Sequence, residues 1–339
     1  MVPDGSINFV NVAALPAASG GYLIESGPVL HYLSAERDLL RSAPTARGHG
    51  ILAMGDPDFD ALPEPRPARI ASAQPPATED SSAGPLVYRG PPSGCSDFQS
   101  LRFSPIPASA EEVNDLRSLW SAKESTGQGP DAQVFILTGR DAGEGEFKRL
   151  APGRRVLHLA THGFFLDDQC GSIVKDARAE RGESRPVPAA SSRESPYLLT
   201  GLALSGANRR SSAPPCPDCE DGILTGEEIV SLDLSGVEWV VLSACETGVG
   251  KVASGEGVMG LRRAFEVAGA GTVITSLWRI EDRATEAWMQ RLYTARLAGA
   301  TTAEAVRSAA LGILLERRKQ GKSTHPFYWG AFVAAGDWR

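Results

Sequence analysis

The sequence predicts an α/β fold, a mostly parallel sheet flanked by helices and interrupted by two long irregular insertions. Three observations predict it. Short, Val-rich apolar runs alternate with stretches of helical spacing along most of the chain. Val237–Leu242, a helical stretch over about Gly257–Ala268 and Thr272–Trp278 give strand, helix and strand in the length of a right-handed parallel crossover. Two similar apolar runs, Val156–Thr161 and Val237–Leu242, each deliver a chemically useful residue: His162 follows the first, and Cys245 stands where the second ends.

Taken in order, Pro3-Asp4-Gly5 is a turn ahead of a strand at Ile7–Val10, and the abrupt opening over Val2–Leu15 reads as a cut. Tyr22–Glu25 and Val29–Leu33 read as short strands, and Ser34 is placed to cap a helix over Ala35–Arg41. Ile51–Gly55 is a buried strand closed by Asp56-Pro57-Asp58. From Leu62 to about Ala108 the composition shifts to Pro, Ser, Ala and Gly, which predicts a long surface loop. Ser109–Ser121 returns to helical spacing, Val134–Leu137 is a strand, and a short helix near Glu144–Leu150 leads into Val156–Thr161. Asp167–Asp221 is the second insertion, with Lys175, Arg178, Arg181, Arg185 and Arg193 and an apolar island, Tyr197–Leu204, that reads as an edge strand. Thr225 with Glu228 and Thr301 with Glu304 are capping boxes, Asp282 is placed to cap a helix through about Leu297, and Ala331–Ala335 is the last strand. The whole reads as one module, 1–339, in which a half-sheet over about 1–130 supports a half over about 131–339 that carries both His162 and Cys245.

Composition excludes several classes. With 339 residues and a formal net charge of −7, the chain has ample core material and no general basic footprint for nucleic acid or an anionic membrane. No apolar stretch approaches a membrane span and no secretory leader opens the chain, so a cytoplasmic location is expected. Five cysteines, Cys95, Cys170, Cys216, Cys219 and Cys245, are an odd count, which argues against a disulfide framework. Cys216-Pro217-Asp218-Cys219 could be half a zinc site completed by Cys170 and Cys95, but no second close pair is present, and an unligated surface loop is the simpler reading.

In an open parallel sheet, functional groups gather beyond the carboxyl ends of the strands. If the strands before His162 and Cys245 are neighbours, a thiol and an imidazole meet there, and the imidazole can take the thiol proton to leave a nucleophilic thiolate. Two rivals fail on residue types. Cys245–Val252 lacks the first Gly and the closing hydroxyl of a phosphate loop, and Ser243 lacks the Gly-x-Ser-x-Gly elbow. His158 lies deeper along its strand and reads as a buried, hydrogen-bonded core residue, and His325 before Pro326 as a turn anchor.

Several stretches carry a family resemblance: VLHLATHGFF (156–165), DGILTGEEI (221–229), VVLSACETGVG (240–250), GEGVMGLRRAF (255–265), AGAGTVITSLWRIEDRAT (268–285) and HPFYWGAFVAAGD (325–337). They resemble the CHAT domain, the caspase-like and separase-like family of bacterial cysteine peptidases often fused to tetratricopeptide repeats. The resemblance implies a caspase-like sheet and endopeptidase chemistry with a His162–Cys245 dyad and no cofactor or metal. It implies an oxyanion site at the backbone N–H groups of Gly163 and Cys245, a protein substrate, and a regulatory or sensor segment such as tetratricopeptide repeats in the full-length protein or a partner. It also implies a setting in defence or regulated cell death. By the same resemblance, Asp282 or Glu281 would receive a basic side chain before the scissile bond, with Glu246 a further acid beside the nucleophile. The family usually reads Trp-Pro-Val-Asp-Asp where this chain has Trp278-Arg279-Ile280-Glu281-Asp282, which bears on the pocket rim. Caspase-like enzymes can be processed in linkers such as 167–221, so self-cleavage there is a further expectation.

Overall fold

The structure, a computed structural model, describes residues 1–18, 20–40, 47–62, 101–124, 133–166, 195–210, 219–244, 251–253 and 257–337. In chain order the regular elements are helix α1 (Leu23–Ser26), strand β1 (His49–Pro57), α2 (Ala108–Glu124), β2 (Val134–Gly139), α3 (Glu144–Leu150), β3 (Arg154–Ala160) and β4 (His162–Phe165). They continue with β5 (Thr200–Ala203), β6 (Ile223–Thr225), α4 (Gly226–Val230), β7 (Trp239–Leu242), β8 (Lys251–Ala253), β9 (Gly257–Met259) and α5 (Leu261–Val267). The last are β10 (Thr272–Ser276), α6 (Asp282–Leu297), α7 (Thr302–Lys319) and β11 (Phe332–Gly336).

Six strands form the main sheet in the order β11-β10-β7-β3-β1-β2, parallel throughout except for antiparallel β11. The alternation of side chains along each strand sorts the core into two layers. Leu52, Met54, Leu157, Leu159, Val240 and Leu242 face one side with Phe147 of α3, Ile229 of α4 and Phe265 of α5. Ile51, Ala53, Val156, Ala160, Trp239 and Val241 face the other, against α2, α6 and α7. A strand covered on both faces must be apolar at every position, which is why β1, β3 and β7 read as near-continuous apolar runs. Gly55 fits this packing, because a Cβ there would lie 2.4 Å from the Ser109 carbonyl oxygen of α2.

Beyond the carboxyl end of β3 lies a smaller antiparallel sheet, ordered β4-β5-β6. The stretch Tyr197–Leu204, expected as an edge strand, is a 3-10 turn (Pro196–Leu199) followed by β5, the central strand of this sheet. Both of its edges are paired, with β4 and β6, and both of its faces are covered, Leu202 and Leu204 joining the main core and Leu199 and Ala203 a second cluster.

Of the strands expected near the N-terminus, Val29–Leu33 contributes a parallel bridge from Tyr32 to Ala335 of β11, whereas Ile7–Val10 and Tyr22–Glu25 fall in helical turns. Asp4 accepts from the Gly5 N–H at 2.8 Å and opens a 3-10 turn over Gly5–Phe9, while Glu25 returns to the Tyr22 N–H at 3.0 Å and closes α1. Local carboxylates answer the amides that a strand would have turned to a neighbour. The expected helix after Ser34 is a 3-10 turn, Glu36–Leu40, whose Ala35 N–H is taken by Asp38 at 2.8 Å; Ser34 instead donates to Glu266 at 2.7 Å. The helix expected from Gly257 begins at Leu261, since Gly257–Met259 pairs with Lys251–Ala253 as a hairpin. Both capping boxes form.

Candidate active site

β3 and β7 are neighbours, paired in parallel with Leu157 opposite Val240 and Leu159 opposite Leu242. Their carboxyl ends are therefore level, and the chain continues from one to His162 and from the other, through Ser243 and Ala244, to Cys245. Ser243 and Ala244 are buried, and the Ala244 carbonyl accepts a 2.6 Å hydrogen bond from the Ser276 hydroxyl of β10. Cys245 and Glu246 lie outside the described residues, as does the side chain of Asp282.

At Thr161 the chain leaves the main sheet. The Thr161 hydroxyl donates to the Ala203 carbonyl, and His162 enters the small sheet opposite Ala203. The imidazole is 2% exposed and packs against two rings, with centroids 5.2 Å away at Phe59 and 5.7 Å away at Phe103. Its Nε2 lies 2.7 Å from the Ser104 carbonyl oxygen. A carbonyl only accepts, so this bond puts the proton on Nε2 and leaves the ring's lone pair on Nδ1.

Gly163 follows with a useful backbone orientation. The Leu166 N–H donates to the Leu199 carbonyl at 2.7 Å, so Leu166, Phe164 and His162 occupy the hydrogen-bonded rungs of the β4–β5 ladder. Gly163 falls on the rung between, where N–H and C=O point away from β5.

Phe59, Phe103 and Ser104 were not marked by the sequence. Residues 101–108 fall inside the stretch expected as a loose surface loop, yet Leu101, Phe103 and Ile106 are buried with Phe59, Phe164 and Ile223 in a satellite core. Asn208 holds the segment by accepting from the Phe103 N–H at 2.9 Å and donating to its carbonyl at 3.0 Å. β1 reaches the same place through a bulge at Asp56, whose φ of 45° turns the chain toward Phe59.

Of the expected pocket acids, Glu281 is described, and it rather than Asp282 caps α6: its carboxylate accepts from the Ala284 N–H at 3.2 Å. The helix begins one residue earlier than the sequence suggested, and either acid has the chemistry to cap it. His158 is a core residue as expected. It is fully buried, with Nε2 2.7 Å from Glu112 and Nδ1 3.1 Å from the Tyr293 hydroxyl. His325 accepts from the Phe327 N–H at 3.2 Å and starts a 3-10 turn.

Among the described residues Cys219 is disulfide-bonded, a single bridge rather than the framework the odd cysteine count argued against, and this removes it as a free thiolate for zinc. Cys95, Cys170 and Cys216 lie outside the described residues. Among the described residues one carboxylate cluster, Glu144, Glu220 and Glu228, has metal-like spacing, but the Lys148 ammonium sits among the three at 2.7, 3.0 and 3.3 Å. Burial, together with Asp221 and Glu228, pushes the Glu144 carboxyl up to about 9. The cluster ties α3 to the chain before β6 and to α4, and so braces the small sheet. Among the described residues no helix is long and apolar enough to cross a membrane.

The profile of the CHAT domain matches residues 1–337. Tetratricopeptide repeat protein 28 of Homo sapiens is 25% identical over 266 residues, 78% of this chain and 10% of that protein, and the Mus musculus protein of the same name gives the same figures. The chain thus spans a tenth of the length of the curated relatives it matches. Two crystal structures of the Saccharomyces cerevisiae separase–securin complex are similar, with TM-scores of 0.34 and 0.33 and identities of 11% and 12%. They cover 66% and 64% of this chain, and 11% of the separase-complex chain in each case. A profile match over nearly the whole length decides the family: the chain belongs to the CHAT domain family.

Proposed function

We propose that the protein is a cysteine endopeptidase with a His162–Cys245 dyad. The observation that carries this reading is the level parallel pairing of β3 and β7, the strands that lead to the two residues. His162 Nδ1 takes the Cys245 proton, and the thiolate attacks the scissile carbonyl. The imidazolium returns the proton to the leaving amine, and water then hydrolyses the acyl-enzyme with the same imidazole as base. The Ser104 carbonyl keeps the imidazole in the tautomer this requires. The Gly163 and Cys245 N–H groups hold the oxyanion, and Gly163 is supported in this by its outward rung on β4.

Cleavage follows Arg or Lys, with Asp282, Glu281 and Glu246 as the acids that receive the side chain. The substrate is a protein, met in the cytoplasm, and control comes from a regulatory segment. The tetratricopeptide repeat proteins among the relatives support a helical-repeat segment in that role. A place in bacterial defence or regulated cell death, and self-cleavage within 167–221, belong to the same proposal.

A second reading is a catalytically silent interaction module. The enclosure of His162 by Phe59, Phe103 and the Ser104 carbonyl favours it, because such a histidine has a structural role without any substrate. Digestion of an unbiased peptide library by the wild type and by Cys245→Ala, read by mass spectrometry, tests the enzyme. Cleavage by the wild type alone, after basic residues, is the expected result. Cleavage by neither, together with a Cys245 alkylation rate whose pH dependence is unchanged in His162→Ala, gives the silent module.

A further inference from the structure

The amino-terminal edge of the main sheet, opposite the end that leads to His162, carries a cleft of about 50 Å3 lined by Trp120, Trp239, Tyr293, Arg155, Arg296 and Glu238. Its floor is apolar and buried: Trp120, Val156, Trp239 and Tyr293 are all enclosed. The polar ends of the floor residues are engaged elsewhere, the Trp239 indole N–H with the Thr302 hydroxyl at 2.9 Å and the Tyr293 hydroxyl with His158 at 3.1 Å. Polar contacts to anything entering the cleft must therefore come from its rim.

The rim is cationic. Arg155 is the second residue of β3, Arg296 lies in the last turn of α6, and both pair with Glu238, Arg155 at 2.9 Å through Nε. Arg296 also lies over the Trp239 ring, 5.0 Å from its centroid. A single carboxylate thus has one oxygen on each of two guanidinium groups, which as a bare structural clamp would need nothing more. Arg47, exposed just before β1 and outside the cleft lining, adds a third positive charge close enough to act on Arg296. Burial, then Arg155, then Arg47 lower the pKa of Arg296, while a guanidinium stays charged at neutral pH. Two guanidinium groups therefore share one carboxylate in a partly desolvated place, with the exposed Arg47 charge nearby, in a chain whose net charge is −7.

We propose that this cleft is a binding site for an oxyanion the size of a carboxylate or phosphate group, held by Arg155 and Arg296 above the indole floor, with the charge of Arg47 adding to the attraction from outside the cleft. Guanidinium groups match such anions through paired N–H donors. The volume sets the class: one water needs about 10–15 Å3 by this measure, so the cleft admits a group of a few heavy atoms and excludes a nucleotide. The oxyanion is supplied either by a free small ion or by an acidic side chain presented on a peptide.

The test titrates the full chain with sodium phosphate, and separately with a glutamate-containing peptide, against sodium chloride at matched ionic strength. Tryptophan emission and the thermal midpoint are followed together. A saturable response to phosphate or to the peptide, absent with chloride, is expected, and which of the two saturates identifies the source. Arg47→Gln leaves both Glu238 pairs in place and weakens binding by about threefold, and Arg296→Gln, which removes a direct donor, by about tenfold or more. No saturable response to either probe, or wild-type affinity in both variants, overturns the proposal.

Discussion

Glu112 and His158 offer a direct measure of how the inner face of β3 is held. His158 Nε2 and the Glu112 carboxylate lie 2.7 Å apart, 0% and 1% exposed. Burial and the nearby Glu112 raise the Tyr293 pKa well above its ordinary value, so its hydroxyl stays protonated and donates to Nδ1. Nε2–H then donates to Glu112, and the three side chains form one satisfied chain between β3, α2 and α6. Glu112→Ala removes a charge-assisted bond and strands a buried N–H, costing about 3–5 kcal/mol. Glu112→Gln keeps an acceptor and costs about 1–2 kcal/mol, since the neutral bond has about half the strength. On a His158→Leu background no N–H is left to strand, and Glu112→Ala costs about 2 kcal/mol less than in the wild type. Urea unfolding of the four proteins, followed by tryptophan emission, gives the cycle. A Glu112→Ala cost below about 1 kcal/mol, or equal costs on both backgrounds, would refute the hydrogen-bonded chain.

Phe103→Ala opens a space beside His162 and costs about 3 kcal/mol in urea unfolding, at the low end for a buried Phe because the satellite core borders the surface; peptide cleavage falls with it. Retention of full cleavage with that loss of stability would show that the ring does not hold the imidazole. Burial, then Glu111, Asp115 and Glu112, with Arg283 opposing, push the half-buried Glu286 carboxyl up to about 7. A carboxyl raised in the folded state gives stability that is full below the ordinary carboxylate range and lost as pH rises through about 7. Glu286→Gln is therefore neutral near pH 4 and stabilising by about 1 kcal/mol at pH 8, after allowance for solvent screening; thermal midpoints at the two pH values check this. Glu281→Ala removes the α6 cap and costs about 1 kcal/mol. A change in the residue preferred before the cut, beyond that loss, would give Glu281 a part in substrate selection.

The main sheet was legible because β1, β3, β7 and β10 are buried on both faces, and burial on both faces leaves an uninterrupted apolar signature. His162 was legible from its place after one of them. The environment of His162 was not. Ser104 acts through its carbonyl, which every residue has, and the polar composition around it masked Leu101, Phe103 and Ile106. The N-terminal turns were missed because the expected strands are built from Val and Ile, whereas Asp4, Glu25 and Asp38 decided the backbone from one to three residues away. Glu281 and Asp282 are adjacent acids, and nothing in their order says which caps.

The outer edge of β11 is closed by the N-terminal arm. The Tyr32 N–H donates to the Ala334 carbonyl at 3.2 Å, the Gly336 N–H to the Tyr32 carbonyl at 3.1 Å, and Asn11 to the Gly330 carbonyl at 2.6 Å. The arm precedes its partners in the chain by some three hundred residues, and all of those must be made before it can dock. Until then β10 offers an unpaired edge to any neighbouring chain, and the arm waits in solution beside a sheet that is otherwise complete. Closure of this edge thus waits on β11, and a ribosome that stalls within α7 leaves behind a nearly finished sheet with an open, adhesive side.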